Sequence, residues 1–310
     1  MSLNINWFPG HMAKALRQLE AESKNCDYVI ENCDARIPNF SRNPLLCKLA
    51  PHKPHLLVLS KEDLADPRYT DYWKKRLASE NLHVYACNTH DRQSVEGLKR
   101  QVIADCSELI ERAKARGRRV RPIKVMVTGI PNTGKSTLIN ALTGRYSLKT
   151  ANRPGVTRGL SRLKAGTDLE LLDSPGTLPP KLATLHEQIA LAATGAIRDD
   201  ILPLEKTAGL TLLWLMQIYP ELLEQRYSLG RRSIPAEESA AHGLAQELLL
   251  ELALNRQLLL AGQKPDLRRA ATVLFTDLRS AKIGRITLEQ ENQIYLPGQA
   301  IDFDAKKLVE

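Results

Sequence analysis

The 310-residue sequence has no run suited to a membrane span. Its longest apolar stretches, around residues 210–218 and 248–260, are broken by polar residues well short of the roughly 20 that a span requires. The amino terminus, Met1-Ser2-Leu3-Asn4-Ile5-Asn6-Trp7, has neither the apolar core of a secretory signal nor an arginine-rich transit segment. Cysteine is scarce and odd in number. None of the five (Cys26, Cys33, Cys47, Cys87, Cys106) lies in a C-x-x-C pair, so they read as small buried hydrophobes in a reducing compartment rather than metal ligands or a disulfide framework. Internal repeats and low-complexity segments are also missing. Acidic residues are in deficit, 35 against 44 Lys and Arg, and the resulting net charge of +9 points to an acidic partner, nucleic acid being the commonest. The expectation is a cytoplasmic protein without a membrane partner.

A hydrophobic content of 43% supplies material for more than one core. Through residue 180, short apolar runs bounded by turn residues alternate with helical patterns, the rhythm of an α/β fold. Strands are expected at 28–33, 55–59, 84–87 and 123–128. Two more, at 159–164 and 169–172, flank the turn Ala165-Gly166-Thr167-Asp168 and form a hairpin, giving an open sheet of about six mostly parallel strands. Beyond residue 180 helical periodicity takes over at 184–196, 208–218, 236–260 and 267–279. Two domains follow: 1–180, and a mainly α-helical 181–310. The stretch around Pro297-Gly298 has no clear pattern. Residues 111–124, ERAKARGRRVRPIK, concentrate positive charge before the fourth strand, as a solvated helix end and linker or as a nucleic-acid contact.

Gly129-Ile130-Pro131-Asn132-Thr133-Gly134-Lys135-Ser136 fits G-x-x-x-x-G-K-[ST], with an apolar strand before it and a helix expected over 137–142. Glycines let backbone N–H groups curl around anionic phosphates at a helix amino terminus. The candidate nucleotide contacts are therefore Asn132, Thr133, Gly134, Lys135, Ser136 and Thr137, with the Lys135 charge on the β- and γ-phosphates and the Ser136 hydroxyl on Mg²⁺. Asp173-Ser174-Pro175-Gly176 ends the last strand, so Asp173 is a Mg²⁺-holding candidate and the Gly176 amide a sensor of the γ-phosphate. In the intervening Arg153-Pro154-Gly155-Val156-Thr157-Arg158, Thr157 is placed to complete the Mg²⁺ shell, the bland alternative being an ordinary Pro-Gly turn.

Ser60-Lys61-Glu62-Asp63 directly follows the second strand and matches the [NT]-K-x-D base motif of GTPases except at its first position. A carboxylate at Asp63 accepts from guanine N1 and N2, a donor pair adenine lacks, while the Lys61 stem packs on the ring. Ser60 keeps a hydroxyl but loses the reach of an amide, an exchange expected to weaken guanine binding. Asn88-Thr89-His90 after the next strand is the candidate loop for the guanine carbonyl, with Asn88 and Thr89 as its contacts. The base motif thus precedes the phosphate loop. A circular permutation keeps the same strands adjacent while moving the termini. It also sets the end of the second switch beside the helical domain in sequence, so switch movement is expected to reach that domain.

With this order, the opening Trp7-Phe8-Pro9-Gly10-His11-Met12-Ala13-Lys14, the motif Asp34-Ala35-Arg36-Ile37-Pro38 followed by Arg42-Asn43-Pro44, and the later Thr194-Gly195-Ala196-Ile197 and Tyr219-Pro220-Glu221, the chain resembles the ribosome biogenesis GTPase A family, which includes mitochondrial ribosome-assembly GTPases. The resemblance implies GTP hydrolysis to GDP coupled to maturation of the large ribosomal subunit or its precursor, with the helical domain and basic surfaces on rRNA, and a monomer away from the ribosome. It makes His11 the candidate for orienting water and Asn132 a ligand of a possible K⁺. A hydrophobic residue usually stands after D-x-x-G in such proteins, where this chain has Thr177 followed by Leu178. Basic RNA candidates, chosen on charge, are residues 116–121, Arg231, Arg232, Arg268, Arg269, Lys282 and Arg285. The alternatives are an RNA-binding scaffold with a structural, weakly active nucleotide site, and an ATP-dependent P-loop enzyme.

Overall fold

In the computed structural model of the chain, the described residues are 3, 10–47, 50, 52–79, 82–144, 161–179, 182 and 184–290, with backbone alone for 10–16 and 47. Thr157 with its surrounding loop, and the stretch at 297–298, lie outside them. His11 falls where only the backbone is described.

Among the described residues six strands, β1 (Tyr28–Asp34), β2 (His55–Ser60), β3 (Leu82–Cys87), β4 (Ile123–Thr128), β5 (Ser161–Ala165) and β6 (Leu169–Asp173), form one sheet in the order β3-β2-β1-β4-β6-β5. All pairings are parallel except β5 with β6, the expected hairpin. Helix α1 (Gly10–Ser23) precedes β1, and α2 (Pro44–Cys47), α3 (Pro67–Leu77), α4 (Arg92–Asp105), α5 (Ser107–Ala115) and α6 (Lys135–Thr143) intervene between the strands. The central strands read as almost continuous apolar runs because both faces are covered. Their alternate residues go to opposite sides. Ile30, Val125, Val127 and Leu171 join a core with Leu98 of α4 and Leu138 of α6, whereas Val29, Met126 and Leu172 pack with Leu19 of α1 and Leu46 of α2. Cys26, Cys33, Cys87 and Cys106 are buried.

Local signals set the helix ends. The Asp91 carboxylate accepts from the Gln93 N–H at 3.0 Å to cap α4. Gly134, at φ +91°, turns the chain into α6, and Gly144, at φ +65°, ends it.

By compactness, Phe8–Asp63 and Thr70–Pro180 make one unit, and Met1–Trp7, Leu64–Tyr69 and Lys181–Glu310 the other. The second unit is helical: α7 (Leu185–Ala193), α8 (Leu204–Ile218), α9 (Pro220–Tyr227), α10 (Glu238–Asn255) and α11 (Leu267–Arg279). Apolar α8 is its centre, packed by α7, α10 and α11. A Cβ at Gly209 would lie 2.8 Å from the Ala245 carbonyl oxygen, so glycine allows α8 and α10 their close approach. The short segment Leu64–Tyr69 is fastened here: Ile286 N–H donates to Leu64 O at 3.2 Å, Arg285 Nε to Ala65 O at 2.7 Å, Asp66 N–H to Thr287 Oγ1 at 3.1 Å and Tyr219 OH to Asp66 Oδ2 at 3.1 Å. Among the described residues, no helix is long and apolar enough to cross a membrane.

Candidate nucleotide site

The chain winds outward from β1 through β2 to β3, then returns to lay β4 on the other side of β1. That reversal opens a crevice at the carboxyl ends of β1 and β4, where open α/β sheets bind ligands. The ends of the parallel strands carry Asp34, Ser60, Cys87, Thr128 and Asp173, so the loops holding every described base, phosphate and second-switch candidate leave the same edge of the sheet.

The phosphate loop joins β4 to α6. Lys135 is 6% exposed, and its Nζ donates to Asp173 Oδ1 from the end of the neighbouring strand β6. Burial lowers the Lys135 pKa below that of an ordinary lysine, and the Asp173 carboxylate opposes that shift. Asp173 is fully buried, and its second oxygen, Oδ2, has no hydrogen-bond partner. A carboxylate that pairs with Lys135 through one oxygen and leaves the other unpartnered offers the oxygen-donor chemistry that a hard divalent cation takes. Ser136 and Thr137 are partly buried, on the helix turn whose N–H groups have no intrahelical partner. Among the described residues no group of three or more His, Cys, Asp and Glu is arranged to hold a metal.

The second switch lies against this loop. Ser174 Oγ donates to Val127 O at 2.8 Å, Thr177 N–H to Gly129 O at 3.2 Å, and Asn43 Nδ2 to Thr177 O at 2.8 Å. A Cβ on Gly176 would sit 2.8 Å from the Pro131 nitrogen and 2.9 Å from its Cα, so only glycine fits. Thr177 and Leu178 are both buried, and the Thr177 Oγ1 has no partner. The threonine side chain is thus turned into the interior, and a neutral hydroxyl there is no general base.

On the base side, Lys61 has φ +60° and Asn132 φ +61°, left-handed conformations costing a non-glycine residue about 1–2 kcal/mol. Such strain collects at functional sites. The two meet: Lys61 Nζ donates to the Asn132 carbonyl, and a Cβ on Gly134 would lie 3.7 Å from Lys61 Cε. The Lys61 stem therefore runs along the phosphate loop. Its ammonium also pairs with Asp34 Oδ2 at 2.8 Å, and Arg36 grips the same carboxylate through Nε at 2.9 Å and Nη2 at 2.7 Å. Burial alone would raise the Asp34 pKa, but the Arg36 and Lys61 charges outweigh it and hold the carboxyl well below the usual range. Asp63, in a single turn at 62–64, is partly exposed. Asn88 and Thr89, also partly exposed, follow β3, where Asn88 Oδ1 accepts from the His90 N–H at 2.9 Å.

Sequence reasoning did not find the roles of Asp34, Asn43 and Asn32. The first two lay within quoted motifs that carried no geometry. Asn32 had a signal: it is a polar residue inside a strand buried throughout its length.

Residues 124–226 match the family described as 50S ribosome-binding GTPase. The match opens at β4, leaving the base motif ahead of it, as permutation requires. The ribosome biogenesis GTPase A of Priestia megaterium is 39% identical over 300 residues, covering 95% of this chain and all of that protein. The mitochondrial ribosome-associated GTPase 1 of Mus musculus is 32% identical over 302 residues, covering 92% and 90%. In fold, the chain resembles GDP-bound YlqF of T. maritima, with a TM-score of 0.59 at 21% identity, covering 89% of this chain and all of the other. The GTPase motifs, their permuted order and this near-full-length similarity together make the chain a member of the ribosome biogenesis GTPase A family and an enzyme that binds and hydrolyses GTP.

Proposed function

We propose that this GTPase serves maturation of the large ribosomal subunit, binding the subunit or its precursor in the GTP form and leaving after hydrolysis. The observation that carries the reading is the full-length similarity to ribosome biogenesis GTPase A proteins, which spans the helical unit as well as the GTPase motifs. The basic surface supports rRNA as the contact. Residues 114–121 are exposed, with Arg116, Arg118 and Arg119 among them, and Arg231, Arg232, Arg268, Arg269, Lys282 and Arg285 are exposed in the helical unit.

In this reading Lys135 moves from Asp173 to the β- and γ-phosphates, which bring more negative charge than one carboxylate. Ser136, Thr157 and Asp173 would hold Mg²⁺, which would supply positive charge against the charge developing on the phosphates. Thr133, Gly134 and Thr137 complete the phosphate cradle, and the Gly176 amide meets the γ-phosphate. Lys61 and Asp63 read guanine, Asn88 and Thr89 its carbonyl, and Ser60 ties the base motif to its strand. His11 orients the attacking water, and Asn132 serves a K⁺ ion. The protein acts in the cytoplasm as a monomer when off the ribosome.

The test is sedimentation of the full chain with purified ribosomal subunits in the presence of GDP or a non-hydrolysable GTP analogue. Association with large subunits in the analogue and release in GDP is the expected result. Equal association in both states, or none with either, would remove the proposal.

A further inference from the structure

We infer that Asn32 supplies the amide that Ser60 lacks, tying the base-reading strand to the phosphate loop and thereby slowing nucleotide release. This rests on the reading of Lys61 and Asp63 as the guanine contacts. The connection is continuous. Ser60 Oγ donates to Asn32 Oδ1 at 2.5 Å, and Asn32 Nδ2 donates both to Thr133 O and to Thr133 Oγ1, each at 3.0 Å. The Thr133 hydroxyl then donates to Ile130 O at 3.1 Å.

Chemistry sets the direction of the chain of bonds. A main-chain carbonyl only accepts, so the Asn32 NH₂ must face Thr133 O and its Oδ1 must face the Ser60 hydroxyl. Ser60 and Asn32 are fully buried and Thr133 is 1% exposed, so water cannot replace any of these partners. Asn32 also meets the loop through its backbone: a Cβ on Gly129, at φ +153°, would lie 2.4 Å from Asn32 O. One residue of β1 therefore braces the phosphate loop at 129 and at 133, beside the crevice where the strand order reverses. A Cβ on Gly134 would lie 3.8 Å from Ser60 Cβ. An amide at position 60 would thus reach the loop directly, and with serine there the neighbouring strand provides it.

Removing the amide leaves the Thr133 carbonyl and the Ser60 hydroxyl buried and unpaired. Release of a fluorescent GDP analogue from the full chain measures the result. Asn32→Ala is expected to release it about tenfold faster or more, the scale of one unsatisfied buried group. Asn32→Asp keeps the shape but sets a carboxylate oxygen against the Thr133 carbonyl, and is expected to accelerate release as well. Ser60→Asn added to Asn32→Ala should restore slow release. Wild-type rates in both single variants, or no rescue in the double variant, would overturn the inference. Should Asn32→Ala fail to fold, recovery of the fold by Ser60→Asn supports it and continued unfolding overturns it. Asp63→Asn tests the base reading separately, because its amide donates to the C2 carbonyl of xanthine where the carboxylate accepted from guanine. Failure to shift preference toward xanthine nucleotides sinks the base reading, whatever Asn32 does.

Discussion

Thr177→Val should stabilise the protein, which is the reverse of what this exchange usually does. The Thr177 side chain is fully buried and its Oγ1 has no hydrogen-bond partner, although its main chain is bonded at both ends, to Gly129 O at 3.2 Å and from Asn43 Nδ2 at 2.8 Å. A hydroxyl buried without a partner costs about 1–3 kcal/mol. Valine keeps the β-branch and nearly the volume, and brings a methyl group that has no such need. The expected gain is therefore about 1 kcal/mol or more. Thr133 is the matched control, since its hydroxyl accepts from Asn32 at 3.0 Å and donates to Ile130 O at 3.1 Å. There the same change of atoms strands two polar partners and should cost about 1–3 kcal/mol. Calorimetric unfolding of the nucleotide-free chain reads both. A unit of this size shifts by roughly 2–4 °C per kcal/mol, so Thr177→Val should raise the midpoint of the sheet-containing unit and Thr133→Val lower it. A Thr177→Val protein that melts below wild type refutes the reasoning, because its hydroxyl would then have a partner in the folded chain.

Asn43→Ala strips the donor from Thr177 O and the acceptor from the Leu45 N–H at 3.1 Å, so amide exchange at Thr177 and at the start of α2 should quicken about tenfold or more; unchanged protection would show that the second switch is not latched there. Lys135→Ala removes the cation from a buried pair and should abolish GTP hydrolysis and GTP-dependent association with ribosomal subunits, whereas a scaffold with a structural nucleotide site would keep that association. His186, buried edge-on to Trp214 at 4.9 Å, has its pKa pushed down to about 4 by burial. Its folded value lies below the unfolded one, near 6.5, so stability is fully present above pH ~6.5 and falls as acid protonates the unfolded chain first, by about 3 kcal/mol on reaching pH 4. Urea midpoints at several pH values should lose part of that slope in His186→Leu; identical slopes would discount the histidine.

The parts of the site legible in the sequence are contiguous ones. The phosphate loop carries its own instructions, because the glycines, lysine and serine that cradle phosphate must be neighbours on one turn. Lys61 and Asp63 are likewise two residues apart, and the apolar periods located β4 and the hairpin of β5 and β6. Helix α9 was not anticipated, its eight residues being too few for a clear helical period. Ser60 looked like a weakness when read alone. Its hydroxyl instead opens a buried relay, for which the second residue lies 28 positions earlier in the chain and the third 101 positions beyond that one.

From the sequence by itself came the α/β class, the permuted order of motifs and the candidate phosphate loop, since each depends on local spacing or on the succession of local patterns. Tertiary structure alone decided that Asp34 holds Lys61, that Asn43 reaches 134 residues along the chain to Thr177, and that Asp66, just past the base motif, bonds to Thr287, 221 residues away. These partners meet because parallel pairing brings strand ends to one edge and because buried polar groups must find one another. Neither requirement leaves a mark on the neighbouring letters of the chain.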